Sequence, residues 1–195
     1  MDKAVGGGLL YNATWSLAEE FVDLSYPGYT YTELYEWTMS RNGFGAFAFF
    51  GVGRFFELNL GFLYKNPSKL KLVYTEKETG YYDYVYEGEE DASFIPGTAA
   101  LQVGLYVKVP FVVSDKMVVF PTAGIDYELS FDEEWFDDIW IRAGGGMDFF
   151  FSDRMFLRTH LIYGIAIPTG GTLKEVLDFT IGHGFLLKAG IGWMF

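Results

Sequence analysis

The chain has no cysteine, so neither a disulfide framework nor a thiolate metal site is open to it. It has two histidines, His160 and His183, and only 14 Lys and Arg against 26 Asp and Glu, for a net charge of −12. An acidic surface cannot displace counterions from a phosphate backbone, which excludes nucleic acid as a partner. Long apolar runs are missing as well. The longest nearly uncharged stretch, residues 44–53, falls well short of the roughly 18 residues that a membrane helix needs. No secretory leader is visible. The first three residues run straight into a strand pattern, as expected of a mature chain carrying an added Met.

What the chain has in quantity is 20 Phe, 14 Tyr, 5 Trp and 24 Gly among 195 residues, half of them hydrophobic. That mass of apolar surface excludes a disordered chain, and the length fits one domain over residues 1–195. Greasiness and acidity are segregated along the sequence. Residues 16–40, 66–96, 129–138 and 168–180 hold 19 of the 26 acids and 4 of the 14 bases, a net −15 that leaves +3 for everything else.

Between the acidic segments the apolar residues recur with period two, the signature of a strand. Counting back from the C-terminus, Phe195, Trp193, Ile191, Ala189, Leu187, Phe185 and His183 share one face, opposed by Met194, Gly192, Gly190, Lys188, Leu186 and Gly184. The same alternation marks residues 155–167, 139–151, 117–129, 101–109 and 56–65. Two more strands are expected near residues 4–14 and 41–50, where clustered Gly and Phe leave the facing ambiguous. Short turns at 51–54, 113–116 and 152–154 alternate with the long acidic connections. Two of these turns carry Ser-Asp, which bonds its own backbone. This is the pattern of an antiparallel up-and-down sheet, plain at one end and elaborated at the other.

Each strand has a continuous apolar face and a mixed face rich in Gly, including Gly104, Gly124, Gly144, Gly146, Gly164, Gly184, Gly190 and Gly192. Exposed Gly weakens a strand. Gly facing a narrow lumen makes room for large neighbours such as Tyr106, Phe120, Trp140, Arg142 and Arg158. The apolar faces carry aromatics at their ends, as a lipid-facing band does. Strands of about 10–13 residues suit a tilted crossing, and hydrocarbon requires that the sheet close.

On the alternating C-terminal strand ending in Phe195, the short Ser-Asp turns and the long acidic loops, the chain resembles the small eight-stranded outer-membrane β-barrels of bacteria, those like OmpA, OmpX and OmpW. The resemblance implies an all-β, eight-stranded antiparallel transmembrane barrel with long extracellular loops and both termini in the periplasm. It also implies an assembly signal in Phe185, Leu187, Ile191, Trp193 and Phe195, read by the barrel-assembly machinery. Outer-membrane lipid is the expected surrounding, a monomer the expected state, and an extracellular ligand of the loops a further partner.

The inward charges are Glu57, Asp126, Glu128 and Asp148 against Lys65, Lys108, Arg142, Arg158 and Lys188, close to balance. A loop symmetric about Glu134 sets Asp126 opposite Arg142, and a turn centred on Asp153 sets Asp148 opposite Arg158. Eight strands enclose a lumen that side chains just fill, so this set reads as a structural plug. The sharper reading is a narrow ion path through Asp126, Arg142, His160 and Lys188. No catalytic residue, metal or cofactor is expected. His160 sits mid-strand without a nucleophile nearby in sequence. His183 holds a place that lipid A-modifying barrels give to a catalytic His, but no Ser adjoins it, and a base needs its nucleophile within reach. Gly144, Gly145 and Gly146 lie inside a strand and make no phosphate loop. The cluster Asp132, Glu133, Glu134, Asp137 and Asp138 lacks EF-hand spacing and reads as a solvated loop. Residues 66–96 read as a hairpin extending the barrel wall or adding two strands to make ten. Residues 29–37 have a similar aromatic alternation and are expected to extend the neighbouring hairpin. The function expected is non-enzymatic, surface interaction or envelope integrity. The alternatives are lateral transport of small apolar molecules, through a loop-end pocket lined by Leu10, Phe47, Trp140 or Ile162, and lipid A modification.

Overall fold

The computed structural model describes residues 3–24, 27, 29–79, 84–131, 138–169 and 179–195. The strands in them are β1 (Ala4–Asp23), β2 (Thr30–Val52), β3 (Phe56–Lys65), β4 (Ser68–Thr79), β5 (Tyr84–Ile95), β6 (Thr98–Lys108), β7 (Phe111–Ser114), β8 (Met117–Ser130), β9 (Asp138–Phe150), β10 (Met155–Pro168) and β11 (Phe179–Met194). Eight of them close a ring in the order β1, β2, β3, β6, β8, β9, β10, β11, each antiparallel to its neighbours, with β11 returning to β1. The short connections and both termini share one end, here the turn end. The acidic segments share the other, the loop end.

Burial follows the period-two pattern. On β3 the side chains alternate exposed and buried from Phe56 to Tyr64, and on β6 Val103, Leu105 and Val107 are exposed while Gln102, Tyr106 and Lys108 are buried. The exposed residues are the apolar ones. Leu58, Leu105, Ile125, Ile141, Leu161 and Leu187 form an aliphatic middle. Phe56, Phe111, Phe149, Phe151, Trp193 and Phe195 ring the turn end, and Trp15, Phe44, Tyr64, Tyr127 and Tyr163 ring the loop end. Water would oppose such a surface and hydrocarbon would cover it, with aromatics at the two interfaces.

The narrow ring forces close approaches inside. A Cβ at Gly104 would overlap the Asp126 carboxylate and the Tyr106 ring. Where β1 meets β11, Gly6 pairs with Gly192. A Cβ on the first would strike the Phe49 ring, and one on the second the Phe156 ring.

The first two strands run much further than expected, to Asp23 and from Thr30 rather than over 4–14 and 41–50. The pairing of β1 with β2 is unbroken from Ala4 and Gly51 to Asp23 and Thr32. Beyond hydrocarbon a strand needs no apolar face, so residues 16–23 lack the contrast seen in the ring; the aromatic alternation of residues 29–37 falls on β2.

The hairpin of residues 66–96 extends the wall and leaves the ring at eight. Pairing of β2 passes from β3, ending at Gly43 with Lys65, to β4, from Met39 with Leu70 up to Thr30 with Thr79. The breaks fall at Asn66-Pro67 and Pro96-Gly97, where proline lacks the N–H that a continuous ladder needs. The result is a four-stranded wall, β1-β2-β4-β5, standing beyond the ring. The turn of that hairpin, residues 80–83, lies outside the described residues. Buried Arg41 ties both breaks together: its Nε donates to the Asn66 carbonyl at 2.9 Å and its Nη2 to the Pro96 carbonyl at 2.8 Å.

Charge-assisted bonds of this kind contribute about 1.5–3 kcal/mol each. Arg41→Met is expected to speed amide exchange in β4 and β5 by at least about tenfold while leaving β9 to β11 unchanged. Hydrogen-exchange mass spectrometry on the refolded barrel checks this; equal protection of β4 and β5 in both proteins would show that the hairpin holds itself.

Candidate functional site in the barrel lumen

Alternation sends one side chain in two from every ring strand into the lumen, and the charged ones meet there in three groups. At the turn end, Glu57 on β3 is the hub. Arg158 on β10 donates to it through Nη1, and Lys108 on β6 through Nζ at 3.0 Å. Asn59 donates from Nδ2 to its other oxygen at 3.0 Å and accepts from Lys188 Nζ at 3.1 Å. Arg158 also forks onto Asp148, Nε and Nη2 each reaching one carboxylate oxygen at 2.6 Å. Its guanidinium lies 4.3 Å from the Phe49 ring centroid and 4.9 Å from that of Phe156, a cation–π arrangement that keeps a buried charge on apolar neighbours.

Midway, the Tyr106 hydroxyl donates to Asp126. Arg142 is held there by charge and stacking rather than by directed bonds. Its Nε is 2.6 Å from Asp126 Oδ2 and its guanidinium is 4.2 Å from the Trp140 ring. Towards the loop end, Lys65 pairs with Glu128 and lies 3.9 Å from Asp138. Removing one partner of a buried pair strands the other at a cost of about 3–5 kcal/mol, so near-balance inside is a condition of stability.

The register places Asp148 directly opposite Arg158, as the turn centred on Asp153 requires. It does not place Asp126 opposite Arg142. Gly124 faces Arg142 and Asp126 faces Trp140, so the pair meets on the diagonal. The loop between β8 and β9 is centred one residue earlier than Glu134, which shifts pairing by two and preserves facing. Of the acidic cluster in that loop, Asp132, Glu133, Glu134 and Asp137 lie outside the described residues, and Asp138 opens β9 beside Lys65. In the Glu57 hub, Lys108 is the diagonal neighbour of Glu57 on the adjoining strand β6, whereas Arg158 reaches it across the bore from β10, 101 residues away, and strand neighbours do not reveal that contact. Arg41 was missed because the facing of β2 was ambiguous. Its shared parity with Gly43, Gly45 and Phe47, between two prolines that interrupt the neighbouring strands, was the available signal.

The positions expected to line an open apolar passage are buried. Leu10, Phe47, Trp140 and Ile162 are 3 %, 5 %, 2 % and 0 % exposed. Leu10, Phe47 and Ile162 belong to one packed cluster with Phe49, Leu63, Tyr106, Phe156 and Leu186. His160 is buried edge-on to Phe120, ring centroids 5.1 Å apart. His183 faces outward, stacked on Trp15 at 5.6 Å and tilted against Tyr163 at 6.1 Å. Among the described residues, no group of three or more acidic or imidazole side chains is placed to hold a metal ion.

A closed ring with apolar outside and paired charges inside defines a membrane-spanning eight-stranded β-barrel. Solved structures similar to it are outer-membrane proteins. OprG from Pseudomonas aeruginosa is 13 % identical, with 100 % of this chain and 95 % of that one covered and a TM-score of 0.45. The protease OmpT from Escherichia coli is 7 % identical over 100 % and 96 %, TM-score 0.35. The translocator domain of the autotransporter NalP from Neisseria meningitidis is 15 % identical over 100 % and 88 %, TM-score 0.29. No protein-family model matches the chain, and no curated protein does.

Arg158→Ala is expected to lower the stability of the refolded barrel by about 3–5 kcal/mol. Adding Asp148→Ala should restore part of that loss, since Glu57 keeps Lys108. Urea unfolding in detergent micelles checks it, and a double variant no more stable than the single one would refute the pairing.

Proposed function

We propose that the chain is a non-enzymatic integral protein of the bacterial outer membrane, its turn end and termini in the periplasm, working through the acidic wall at its loop end. The observation that carries this reading is the filled lumen beneath a projecting sheet. Charges that would line an ion path, Asp126, Arg142, His160 and Lys188, are each 2 % exposed or less, and Leu10, Phe47 and Ile162 pack in one apolar cluster. The β1-β2-β4-β5 wall continues the strands well past the ring in two segments, residues 16–40 and 66–96, that hold 12 of the chain's 26 acids. Such a surface suits contact with a partner or reinforcement of the envelope. The same packing counts against lateral transport of apolar molecules, which needs an open loop-end pocket at those residues.

The histidines support the non-enzymatic reading. His160 has a phenyl edge where a catalytic base needs a nucleophile, and His183 is stacked in an aromatic belt on the outer wall. On β11, the outward residues Phe185, Leu187, Ile191, Trp193 and Phe195 offer the assembly machinery one continuous apolar strip.

In planar bilayers the purified barrel is expected to give no resolved conductance steps; regular steps abolished by Arg142→Ala would replace the plug with a channel. Expression with wild-type chain or with His183→Ala should leave lipid A composition identical in mass spectra, and a product lost only with His183→Ala would establish an enzyme.

A further inference from the structure

At the turn end the lumen opens into a chamber of about 210 Å³. Its walls are mostly apolar, with Phe120, Phe150, Phe156, Val112 and Val118 among them. Its charges are Lys108, Asp148 and Arg158 at the inner end and Arg54 in the turn between β2 and β3. The inner three belong to the hub, where Glu57 completes a balance of two acids and two bases. Arg54 lies outside that balance. It is exposed, and the described residues give it no acidic partner. The chamber therefore combines a greasy interior with one uncompensated positive charge at its mouth, the usual make-up of a small-molecule site. A cavity of about 150 Å³ already accepts benzene, so a single ring with a short polar head fits this one.

We infer that the turn-end chamber binds a small amphipathic monoanion, an aromatic or short-chain carboxylate. Its apolar body lies against Phe120, Phe150 and Phe156, and its carboxylate faces Arg54. In the orientation proposed above, such a ligand enters from the periplasm. The site is independent of the loop-end surface, and the same test applies in either orientation.

The test uses the full chain refolded in a non-ionic detergent. Methyl resonances of Val112, Val118 and Met194, which line the chamber, are followed during titration with benzoate, benzyl alcohol or benzylamine. Benzoate is expected to give saturable shifts. Benzyl alcohol should bind about fivefold more weakly, the effect of one solvent-exposed charge contact, and benzylamine should not saturate. Arg54→Gln, at an exposed turn with no packing to lose, should weaken benzoate about fivefold. Val118→Phe should fill the chamber and abolish the shifts. The inference is overturned if benzoate gives no saturable shift, if benzyl alcohol or benzylamine matches benzoate, or if Arg54→Gln binds benzoate unchanged. Shifts that survive in Val118→Phe would place the probe in the micelle and overturn it equally.

Discussion

A peptide group that faces hydrocarbon must find its hydrogen-bond partner within the chain, and in this protein that demand is met by the first strand pairing with both the second and the last. Closure with eight strands sets the bore, and the bore sets the interior chemistry. The lumen is wide enough for side chains and little else. Large residues such as Tyr106 and Trp140 can stand in it only where neighbouring positions are glycine, as at Gly104 and Gly164. Charges can stand in it where each meets an opposite charge or a polar acceptor, as Arg158 does with Asp148 and Glu57 and Lys188 with Asn59. The apolar belt, the crowded glycines and the ion-pair groups are three consequences of one requirement on the backbone.

The acidic composition follows from the same division of space. Lipid claims the outside of the ring and paired side chains claim the inside, so unpaired acids are confined to the segments beyond it. There the chain remains in sheet, because β2 is long enough to template β4 after β3 has ended. Arg41 sits at that handover. Two prolines break the ladder at one level, and a single guanidinium bridges the carbonyls on either side.

The eight strands of the ring, and the facing of all but the first two, were legible in the sequence because the hydrocarbon band imposes a strict contrast between alternate residues; Phe185 to Phe195 shows it most clearly. Where that contrast ends, so does legibility. Residues 16–23 and 38–40 are strands without that contrast and looked like loop, whereas the aromatic alternation of residues 29–37 already pointed to an extended hairpin. Pairing across short turns was readable, as with Asp148 and Arg158, because the turn fixes the register. Pairing across the longer loop between β8 and β9 slipped by two, which put Asp126 on the diagonal from Arg142. Contacts across the bore, such as Glu57 with Arg158, depend on how the ring curls and leave no local trace.

The join between the two chain ends has a particular construction. Just inside its turn-end pair, Ala4 with Met194, glycine faces glycine twice, Gly6 with Gly192 and Gly8 with Gly190, so at those levels the join offers no inward side chains of its own. The rings of Phe49 and Phe156, which come from the adjoining strands on either side, lie over it instead. The ends of the polypeptide are thus latched from within by parts of the molecule that belong to neither end. A chain in which β2 and β10 had not yet taken their places would hold this seam by its backbone ladder alone.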